Sequence, residues 1–244
     1  MSHRDGFPAP LHEVHSPASA LHVRGGLRRA KAWVMNAPLL RPLALRALSL
    51  YRRIEGPRRL ARLERSVRPL RIVVGASGRV EPGWIATEHE YLDLVDARDW
   101  ERFFAKGSID AILAEHVFEH LTAEDARVAA RHCYEHLKPG GVLRAAVPDG
   151  LHPDPAYIAW VDVGGMGPGA RDHKVLYDYR GFRRLFEEVG FRVRLLEYWD
   201  EQGLLQQADW DPAQGRVRRS IRFDTKERDG FRYSSIILDA VKRP

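Results

Sequence analysis

The sequence predicts an α/β domain built on a mainly parallel sheet that helices cover on both faces. Strand-like and helix-like segments alternate along residues 70–244, and this order favours parallel strands in one sheet. The first strand is the β-branched run Ile72-Val-Val74, and a glycine turn, Gly75-Ala-Ser-Gly78, follows it directly. Because such sheets bind ligands at the carboxyl ends of their strands, the turn is predicted to lie against a ligand.

The other elements follow from local patterns. Thr122, with Asp125 three residues later, is typical of a helix start, and Phe182, Leu185, Phe186 and Val189 recur at helical spacing. In chain order the prediction is a strand at 84–87, a strand at 109–114, a helix from Thr122 to a stop at Lys138-Pro-Gly-Gly141, a strand at 142–147, a helix that stops at Gly190, a strand at 191–196 and a last strand at 233–241.

These segments resemble class I S-adenosylmethionine-dependent methyltransferases, in particular the short bacterial branch often labelled type 11 or predicted methyltransferase. The resemblance covers roughly residues 70–242. It rests on the order and spacing of the following pieces: Gly75 to Gly78, Gly83-Trp-Ile, Glu115-His-Val-Phe-Glu-His-Leu121, Leu137-Lys-Pro-Gly-Gly141, Val147-Pro-Asp149, His173-Lys174 and Glu188-Val-Gly-Phe191. It implies a Rossmann-like methyltransferase fold with an antiparallel last strand, and S-adenosylmethionine as the cofactor.

The resemblance also implies cofactor-binding residues. Gly75, Ser77 and Gly78 would contact the methionine part, Glu88 the ribose, Asp96 with Ala97 the adenine edge, and Glu115 the methyl-transfer site. The chain departs from the usual pattern in two ways: Ala76-Ser77 stands between the glycines, and only nine residues separate Gly78 from Glu88, which shortens the usual helix to a loop. Glu88 could instead be an exposed acid at the end of a strand, with no ribose contact. Asp96 could instead be a helix N-cap, with no adenine contact.

His116, Asp149 and His173 are the candidate catalytic bases. Each lies just past a predicted strand or in the loop after it, on the ligand side of such a sheet. The sulfonium methyl of the cofactor is already activated, so the protein mainly has to hold an acceptor in line with it, and a base helps when the acceptor is a hydroxyl. His120 is expected to support the loop through a backbone hydrogen bond, and residues 164–169 are expected to form a flexible cover.

Two other motifs match by chance in this interpretation. His116-Val-Phe-Glu-His120 has the H-x-x-E-H spacing of inverted zinc proteases, but a buried strand precedes it and a helix cap follows it. A long helix that carries both histidines is therefore not expected, and no third ligand is evident, so no metal site is predicted. Tyr134 and Lys138 repeat the Tyr-x-x-x-Lys spacing of short-chain dehydrogenases, whose third glycine is missing here.

Charge is divided unevenly along the chain. Residues 1–70 hold 14 of the 39 Lys and Arg residues but only 4 of the 33 Asp and Glu residues. Residues 1–26 are predicted to be disordered, and residues 27–69 to form a basic, amphipathic helical extension that Gly56-Pro57 breaks in two. The apolar stripe of residues 39–68 could pack on the catalytic domain, lie on an anionic membrane, or accompany nucleic-acid binding. Nucleic acid is the least favoured, because aromatic residues do not alternate with the arginines.

The methyltransferase domain is predicted at residues 70–244, with a substrate-side insertion at 197–230 that contains Trp199 and Trp210. The resemblance suggests a small-molecule or saccharide acceptor. A nucleic-acid methyltransferase and a cofactor-binding protein without catalysis are the alternatives. The single cysteine, Cys133, excludes a disulfide framework, and no apolar run is long enough to span a bilayer. A cytoplasmic protein, with peripheral membrane contact as an option, is therefore expected.

Overall fold

The structure is a computed structural model that describes residues 41–78, 81–225, 227–228 and 230–244. The chain divides into two compact units, residues 1–50 and residues 51–244. The predicted disorder of residues 1–26 and the first part of the predicted extension, residues 27–40, lie outside the described residues.

The described helices and strands follow in chain order. The helices are α1 (Arg41–Ser66), α2 (Ala97–Phe103), α3 (Ala123–His136), α4 (Pro155–Val161) and α5 (Tyr179–Val189). The strands are β1 (Arg71–Val74), β2 (Ile85–Ala86), β3 (Ile109–Glu115), β4 (Leu137–Val147), β5 (Arg192–Trp199), β6 (Leu205–Gln207), β7 (Glu227–Arg228), β8 (Phe231–Arg232) and β9 (Ile236–Val241). Short 3-10 turns lie at Phe118–His120, Ala170–Asp172 and Pro212–Gln214.

Within the described residues, seven strands form one sheet in the order β2-β1-β3-β4-β9-β5-β6. β1 pairs in parallel with both β2 and β3, and β3 pairs in parallel with β4. β9 lies between β4 and β5 and is antiparallel to both. The predicted α/β fold with a mainly parallel sheet and an antiparallel last strand is confirmed. Because the chain leaves β1 toward one side and returns with β3 on the other, the carboxyl ends of β1 and β3 border a crevice.

Capping side chains set the helix boundaries near the predicted positions. The Thr122 side chain accepts a hydrogen bond from the amide of Asp125 and begins α3, as its spacing predicts. Asp178 caps α5 in the same way, and Gly190 ends that helix in the left-handed conformation. The helix stop was predicted at residues 138–141, but α3 already ends at His136. Residues 138–141 belong to strand β4. Hydrogen bonds that join Lys242 to Gly140 and Gly141 hold this segment extended.

The second strand is shorter than predicted. Only Ile85 and Ala86 form β2, because just these two residues pair with β1. Thr87 still donates its amide hydrogen to the carbonyl of Val73 at 2.8 Å, and its own carbonyl accepts from Ala76 at 2.9 Å. These bonds tie the end of β2 to the glycine turn.

The predicted break at Gly56-Pro57 is wrong. α1 continues from Arg41 to Ser66 with Pro57 inside it. Proline removes one helix hydrogen bond, and the packing of the following turns offsets that loss. Leu60 is fully buried in the main core, and Leu63 and Val67 pack against it.

Gly56 allows a close contact next to this proline. A Cβ at this position would lie 2.4 Å from the ring of Tyr91, so only glycine fits against that ring. The second half of the predicted extension is therefore part of the domain core. The N-terminal part of α1 exposes the side chains of Leu43, Leu45, Leu50, Tyr51 and Ile54, of which Leu43, Leu50 and Ile54 form an apolar stripe on one face of the helix.

The two faces of the sheet are covered differently. The larger core lies under α1, α2, α3 and α5, and it contains the largest fully buried side chain, Trp100. On the other face, Trp210 and Val217 from the insertion pack on Leu113 and Ile237. The insertion is thus a structural cover of the sheet as well as a neighbour of the crevice. None of the helices in the described part of the chain has the length and apolar character that crossing a bilayer requires.

Candidate functional site

A cleft of about 420 Å³ opens at the carboxyl ends of β1 and β3. The glycine turn after β1 lines one side, and the residues that follow β3 line the other. Pro168, Gly169 and His173 close a third side, and Arg218 and Arg219 reach it from the insertion. The cleft therefore lies where the strand order predicts a ligand.

The glycine turn has an unusual backbone. Gly75 has a φ of 57°, and a Cβ there would lie 2.8 Å from a methyl carbon of Val117, so a larger residue fits neither the conformation nor the space. Ser77 has a φ of 48°, which is uncommon for a residue with a side chain. A backbone kept in such a conformation is typical of a ligand-binding turn.

Glu88 holds this turn in place. Its carboxylate accepts hydrogen bonds from the amide of Ser77 at 3.0 Å and from the amide of Gly78 at 2.7 Å. The guanidinium of Arg52 lies 3.2 Å from the same carboxylate. Glu88 does not line the cleft itself. Its predicted contact with a ribose remains a prediction, and its observed contact is with the backbone of the turn.

Asp96 and Ala97 lie at the start of α2. The Asp96 side chain accepts a hydrogen bond from the amide of Arg98 and caps the helix, and Ala97 is its first residue. The guanidinium of Arg98 pairs with the same carboxylate at 2.7 Å, and these hydrogen bonds lower the pKa of Asp96. This is the N-cap alternative considered for Asp96. Neither residue lines the cleft, so their adenine contact is a prediction without support from this geometry.

Glu115 and His116 end β3 at the cleft. Glu115 accepts a hydrogen bond from the amide of Arg219 at 2.8 Å, which joins the insertion to the strand. His116 has a φ of 58°, so its ring turns back into the protein. The two ring nitrogens of His116 have different neighbours: Nε2 lies 3.0 Å from the hydroxyl of Ser235, and Nδ1 lies 3.3 Å from the guanidinium of Arg219.

The ring of His116 lies among the polar side chains of Ser235, Glu119 and Arg219. The hydroxyl of Ser235 donates to the carbonyl of Arg219 at 2.7 Å, so it accepts from Nε2 of His116. Nδ1 lies 2.9 Å from a carboxylate oxygen of Glu119, closer than it lies to the guanidinium of Arg219. Burial and the nearby charge of Arg219 lower the pKa of His116 to about 3. His116 is therefore a neutral ring whose nitrogens are both engaged.

Three further side chains meet at the inner end of the cleft. One carboxylate oxygen of Glu119 and one ring nitrogen each of His120 and His173 all lie within 4.8 Å of one another. Glu119 is only 1% exposed, and burial raises its pKa to about 7. The Nδ1 atom of His173 donates to the carbonyl of Val161 at 2.7 Å, which leaves Nε2 with its lone pair.

A family model described as "Methyltransferase domain" matches residues 50–196. The chain belongs to this methyltransferase family. The match covers the glycine turn, Glu88, Glu115 and the Glu119-His120 pair, and it confirms the resemblance that the sequence motifs indicate.

Solved structures of methyltransferases are similar to this one over most of their length. A SAM-dependent methyltransferase from Archaeoglobus fulgidus is 16% identical, with 78% of this chain and 94% of that chain covered and a TM-score of 0.44. A SAM-dependent methyltransferase from Thermotoga maritima is 14% identical, with 81% of this chain and 97% of that chain covered and a TM-score of 0.41. A comparison with curated protein sequences found no match.

Asp149 lies apart from the cleft of this methyltransferase. It is fully buried, and its carboxylate accepts hydrogen bonds from the amides of Leu151 at 2.9 Å and Trp199 at 2.7 Å. Burial raises its pKa to about 6. Both oxygens are thus used to join the loop after β4 to the end of β5. The predicted role of Asp149 as a base has no geometric support, because Asp149 is fully buried and does not line the cleft.

Sequence reasoning missed Glu119, Arg218 and Arg219 as parts of the site. Glu119 appears within the Glu115-to-Leu121 motif, but its burial beside two histidines depends on the fold of the 3-10 turn and of a distant loop. The arginines lie in an irregular segment with no periodic pattern. The prediction that the insertion contacts the substrate side is consistent with their position at the cleft.

Proposed function

We propose that this methyltransferase transfers a methyl group from S-adenosylmethionine to a small-molecule or saccharide acceptor. The glycine turn, Glu115 and the cluster of Glu119, His120 and His173 all line the same cleft, and this arrangement supports the proposal. A cofactor held at the glycine turn and an acceptor held at the cluster would meet inside one cavity. Proximity of this kind supplies most of what methyl transfer from a sulfonium requires.

The cofactor end of the cleft would use backbone groups. Gly75, Ser77 and Gly78 line the cleft with a strained turn, so main-chain atoms come close to the ligand without interference from bulky side chains. Glu88 keeps the turn in shape through its two amide hydrogen bonds. Glu115, opposite the turn, is suited to face the methionine amino group or the methyl-transfer site.

The acceptor end would use the histidine-rich wall. Among the three predicted bases, His173 is the one whose ring has a lone pair at the cleft, since its other nitrogen donates to Val161. The nitrogens of His116 are both engaged and its pKa is about 3, so His116 positions neighbouring groups and does not take up a proton. Asp149 is not proposed as a base, because it is buried away from the cleft.

A small acceptor, or one sugar of a larger molecule, fits the enclosure of this end. The loop that contains Pro168 and Gly169 lies on one side, and Arg218 and Arg219 on another. Arg218 is paired with Glu81 at 3.2 Å, and Arg219 lies over the ring of Tyr233. The arginines thus form part of a folded wall around the site, which favours a compact polar acceptor over a long nucleic acid.

Binding of S-adenosylhomocysteine to a matched pair of variants tests the cofactor site. Gly78 and Gly107 both have positive φ angles, of 78° and 67°, and both have room for a Cβ. Gly78→Ala and Gly107→Ala therefore carry a similar backbone cost, but only Gly78 lines the cleft. Isothermal titration calorimetry should show wild-type affinity for Gly107→Ala and a loss of about tenfold for Gly78→Ala, which corresponds to about 1.4 kcal/mol.

Equal affinities in the two variants, or no binding to the wild type, would contradict the proposed cofactor site. Turnover is then tested with radiolabelled S-adenosylmethionine on panels of sugars and metabolites, with RNA as the comparison substrate. Transfer to RNA alone would replace the acceptor class proposed here with a nucleic acid.

A further inference from the structure

We propose that Glu119, His120 and His173 bind a divalent transition-metal ion at the acceptor end of the cleft. Two imidazoles and one carboxylate form a recurrent ligand set for zinc and for non-haem iron, with the remaining coordination positions open to water or substrate. The sequence predicts no metal, because no third ligand is evident beside the His116-to-His120 motif, and His173 comes from a loop far from it in the chain.

The distances fit a site that closes on an ion. One ligand atom from each residue lies within 4.8 Å of the other two. Ligands bound to zinc at about 2.1 Å in tetrahedral geometry lie about 3.4 Å apart. The side chains would therefore move inward by about an ångström, which a change in side-chain torsion angles supplies without any backbone movement.

The carboxylate of Glu119 is deeply buried beside His116. Both of its oxygens are buried and neither makes a hydrogen bond. One oxygen lies 2.9 Å from Nδ1 of His116, and the other has no polar partner among the described residues. A buried carboxylate in this position requires a proton or a cation. A metal ion bound to the histidines would satisfy it.

The two histidines have the outer hydrogen bonds that metal ligands commonly show. His173 donates from Nδ1 to the carbonyl of Val161, and the ring of His120 has a hydrogen bond with the backbone of Asp172. Such bonds to carbonyls set the tautomer and the orientation of a ring, so that its other nitrogen presents a lone pair. The two rings lie 4.8 Å apart in an edge-to-face arrangement.

The backbone holds the ligands together before any ion binds. The carbonyl of Glu119 accepts hydrogen bonds from the amides of Lys174 at 2.7 Å and Val175 at 3.3 Å. The loop that contains His173 is therefore tied directly to the 3-10 turn that contains Glu119 and His120. A site held in this way has a small ordering cost on binding.

This arrangement differs from the inverted zinc protease motif considered from the sequence. In that motif the two histidines lie on one helix, whereas here Glu119 and His120 belong to a 3-10 turn and His116 precedes it with a positive φ. His116 contacts Glu119 and is a positioning residue, not a ligand. The proposed ligand set therefore replaces His116 with His173.

If the chain is a methyltransferase as proposed above, the metal ion would help to bind and activate the methyl acceptor. The three ligands lie in the same cleft lining as Glu115 and the glycine turn. An ion there would leave open positions toward the cofactor, where it could orient an acceptor hydroxyl and lower its pKa. His173 would then act through the metal, and acceptors with oxygen atoms on neighbouring carbons would be preferred.

Metal binding to the full chain tests the proposal without any methyl transfer. Protein stripped with a chelator is titrated with Zn²⁺ against a chromophoric competitor, and bound zinc is measured by mass spectrometry. The wild type should bind one tight equivalent. Loss of a residue that hydrogen-bonds to a metal ligand weakens metal binding roughly 10- to 100-fold. Loss of a ligand itself should cost more, so we expect a larger effect from each of the variants Glu119→Gln, His120→Gln and His173→Gln.

Two kinds of control accompany this titration. Glu124→Gln and His89→Gln change an exposed acid and an exposed histidine elsewhere, and both should retain the tight equivalent. The N-terminal segment contains His3, His12, His15 and His22, which could bind zinc by themselves. A His12→Gln/His15→Gln variant should therefore also retain it.

A Co²⁺ titration of the wild type keeps the test informative if a ligand variant fails to fold. Co²⁺ bound to two imidazoles and a carboxylate should give visible absorption bands that zinc abolishes. Absence of these bands, tight zinc binding that survives all three ligand variants, or its loss in the His12→Gln/His15→Gln variant would overturn the proposal. Affinity for S-adenosylhomocysteine, measured on the stripped protein, reports separately on the proposed methyltransferase function.

Discussion

The carboxylate of Glu88 accepts the amide hydrogen of Gly78 at a distance of 2.7 Å, and this bond joins the end of β2 to the glycine turn. Among the described residues no helix lies between β1 and β2, so no helix N-terminus supports the turn there. Glu88 supplies that support instead, with a second bond to Ser77. The acid thus shapes the cofactor site through the backbone, whether or not it also contacts a ribose.

Replacement of Glu88 should affect both binding and stability. Glu88→Ala removes a charged acceptor of two amide hydrogen bonds, each of a kind that contributes roughly 1.5 to 3 kcal/mol. We expect affinity for S-adenosylhomocysteine to fall by about tenfold or more in calorimetry, and the melting temperature to fall as well. Glu90→Ala is the matched control, since Glu90 also pairs with Arg52 at 3.2 Å but does not contact the turn. Equal losses in both variants would assign the effect to Arg52.

The buried pair of Arg144 and Asp239 should stabilise the domain strongly. Arg144 is 1% exposed, makes two hydrogen bonds to Asp239 at 2.7 and 2.8 Å, and also donates to the carbonyls of Asp211 and Gly215. Asp239→Ala leaves a buried charge unpaired, so we expect a loss of about 3 to 5 kcal/mol in the free energy of unfolding, measured by urea denaturation.

An exposed ion pair provides the comparison for Asp239. Glu187 lies 2.7 Å from Arg183 on the surface of α5. Glu187→Ala should cost less than about 1 kcal/mol, because surface pairs are screened by solvent. Similar losses for Asp239→Ala and Glu187→Ala would mean that water reaches Arg144 in solution.

Glu197 should make stability depend on pH. Burial raises the pKa of Glu197 to about 7, so the folded state favours the protonated form. The stabilisation is complete below the unfolded pKa and is lost as pH rises toward the folded pKa, between about pH 4.5 and 7. Glu197→Gln mimics the protonated acid. Its stability relative to wild type should increase by an amount on the order of 1 to 3 kcal/mol across this range.

Urea denaturation of the wild type and Glu197→Gln at several pH values measures this difference directly. Subtraction of the two curves removes the contributions of Glu119 and Asp149, whose pKa values are also raised by burial. If the difference in unfolding free energy between the two proteins is constant from about pH 4.5 to 7, Glu197 has the same pKa in the folded and unfolded states. That result would contradict the prediction.

The exposed stripe of α1 is proposed to contact an anionic membrane. Leu43 and Leu50 are exposed, and the exposed Arg46 and Arg53 lie on the same helix, whereas Arg52 pairs with Glu88 and Glu90 and is not available to a membrane. The full chain should co-sediment with anionic vesicles, with about 1 kcal/mol per arginine near the surface and weaker binding at high salt. Leu43→Glu/Leu50→Glu should abolish the binding.

The control for membrane binding places the same charges elsewhere. Val163 and Leu204 are also exposed apolar residues, so Val163→Glu/Leu204→Glu changes net charge and surface hydrophobicity in a similar way. This variant should still pellet with vesicles. Truncation at residue 68 is not a suitable test, because it would remove the buried Leu60. Failure of the wild type to pellet would end the membrane proposal.

Much of the fold could be predicted because its signals are local. The run Ile72-Val-Val74, the Thr122 cap and the Gly190 stop are read from neighbouring residues, and each lies where the pattern predicts. The break at Gly56-Pro57 was wrong for a physical reason. A local pattern registers the hydrogen bond that proline loses, but not the burial of Leu60 or the contact of Gly56 with Tyr91.

The candidate site shows the same division. Gly75, Ser77, Gly78, Glu115 and His116 line the cleft because they lie at or just after the ends of strands, whereas His173 reaches it from a loop beyond α4. Asp149 follows a strand in the same way, yet its carboxylate turns to the amides of Leu151 and Trp199. Position after a strand brings a residue to the correct edge of the sheet, but the side-chain direction depends on which partners are near.

The sequence by itself determined the alternation of strands and helices, the glycine turn and the family, because these depend on residue type at short spacing. The tertiary structure alone decided which side chains meet. It brought His173 to Glu119 and His120, directed Glu88 to the turn and buried Arg144 against Asp239. These contacts join residues that are distant in the chain, so their energies depend on burial and geometry that no local pattern contains.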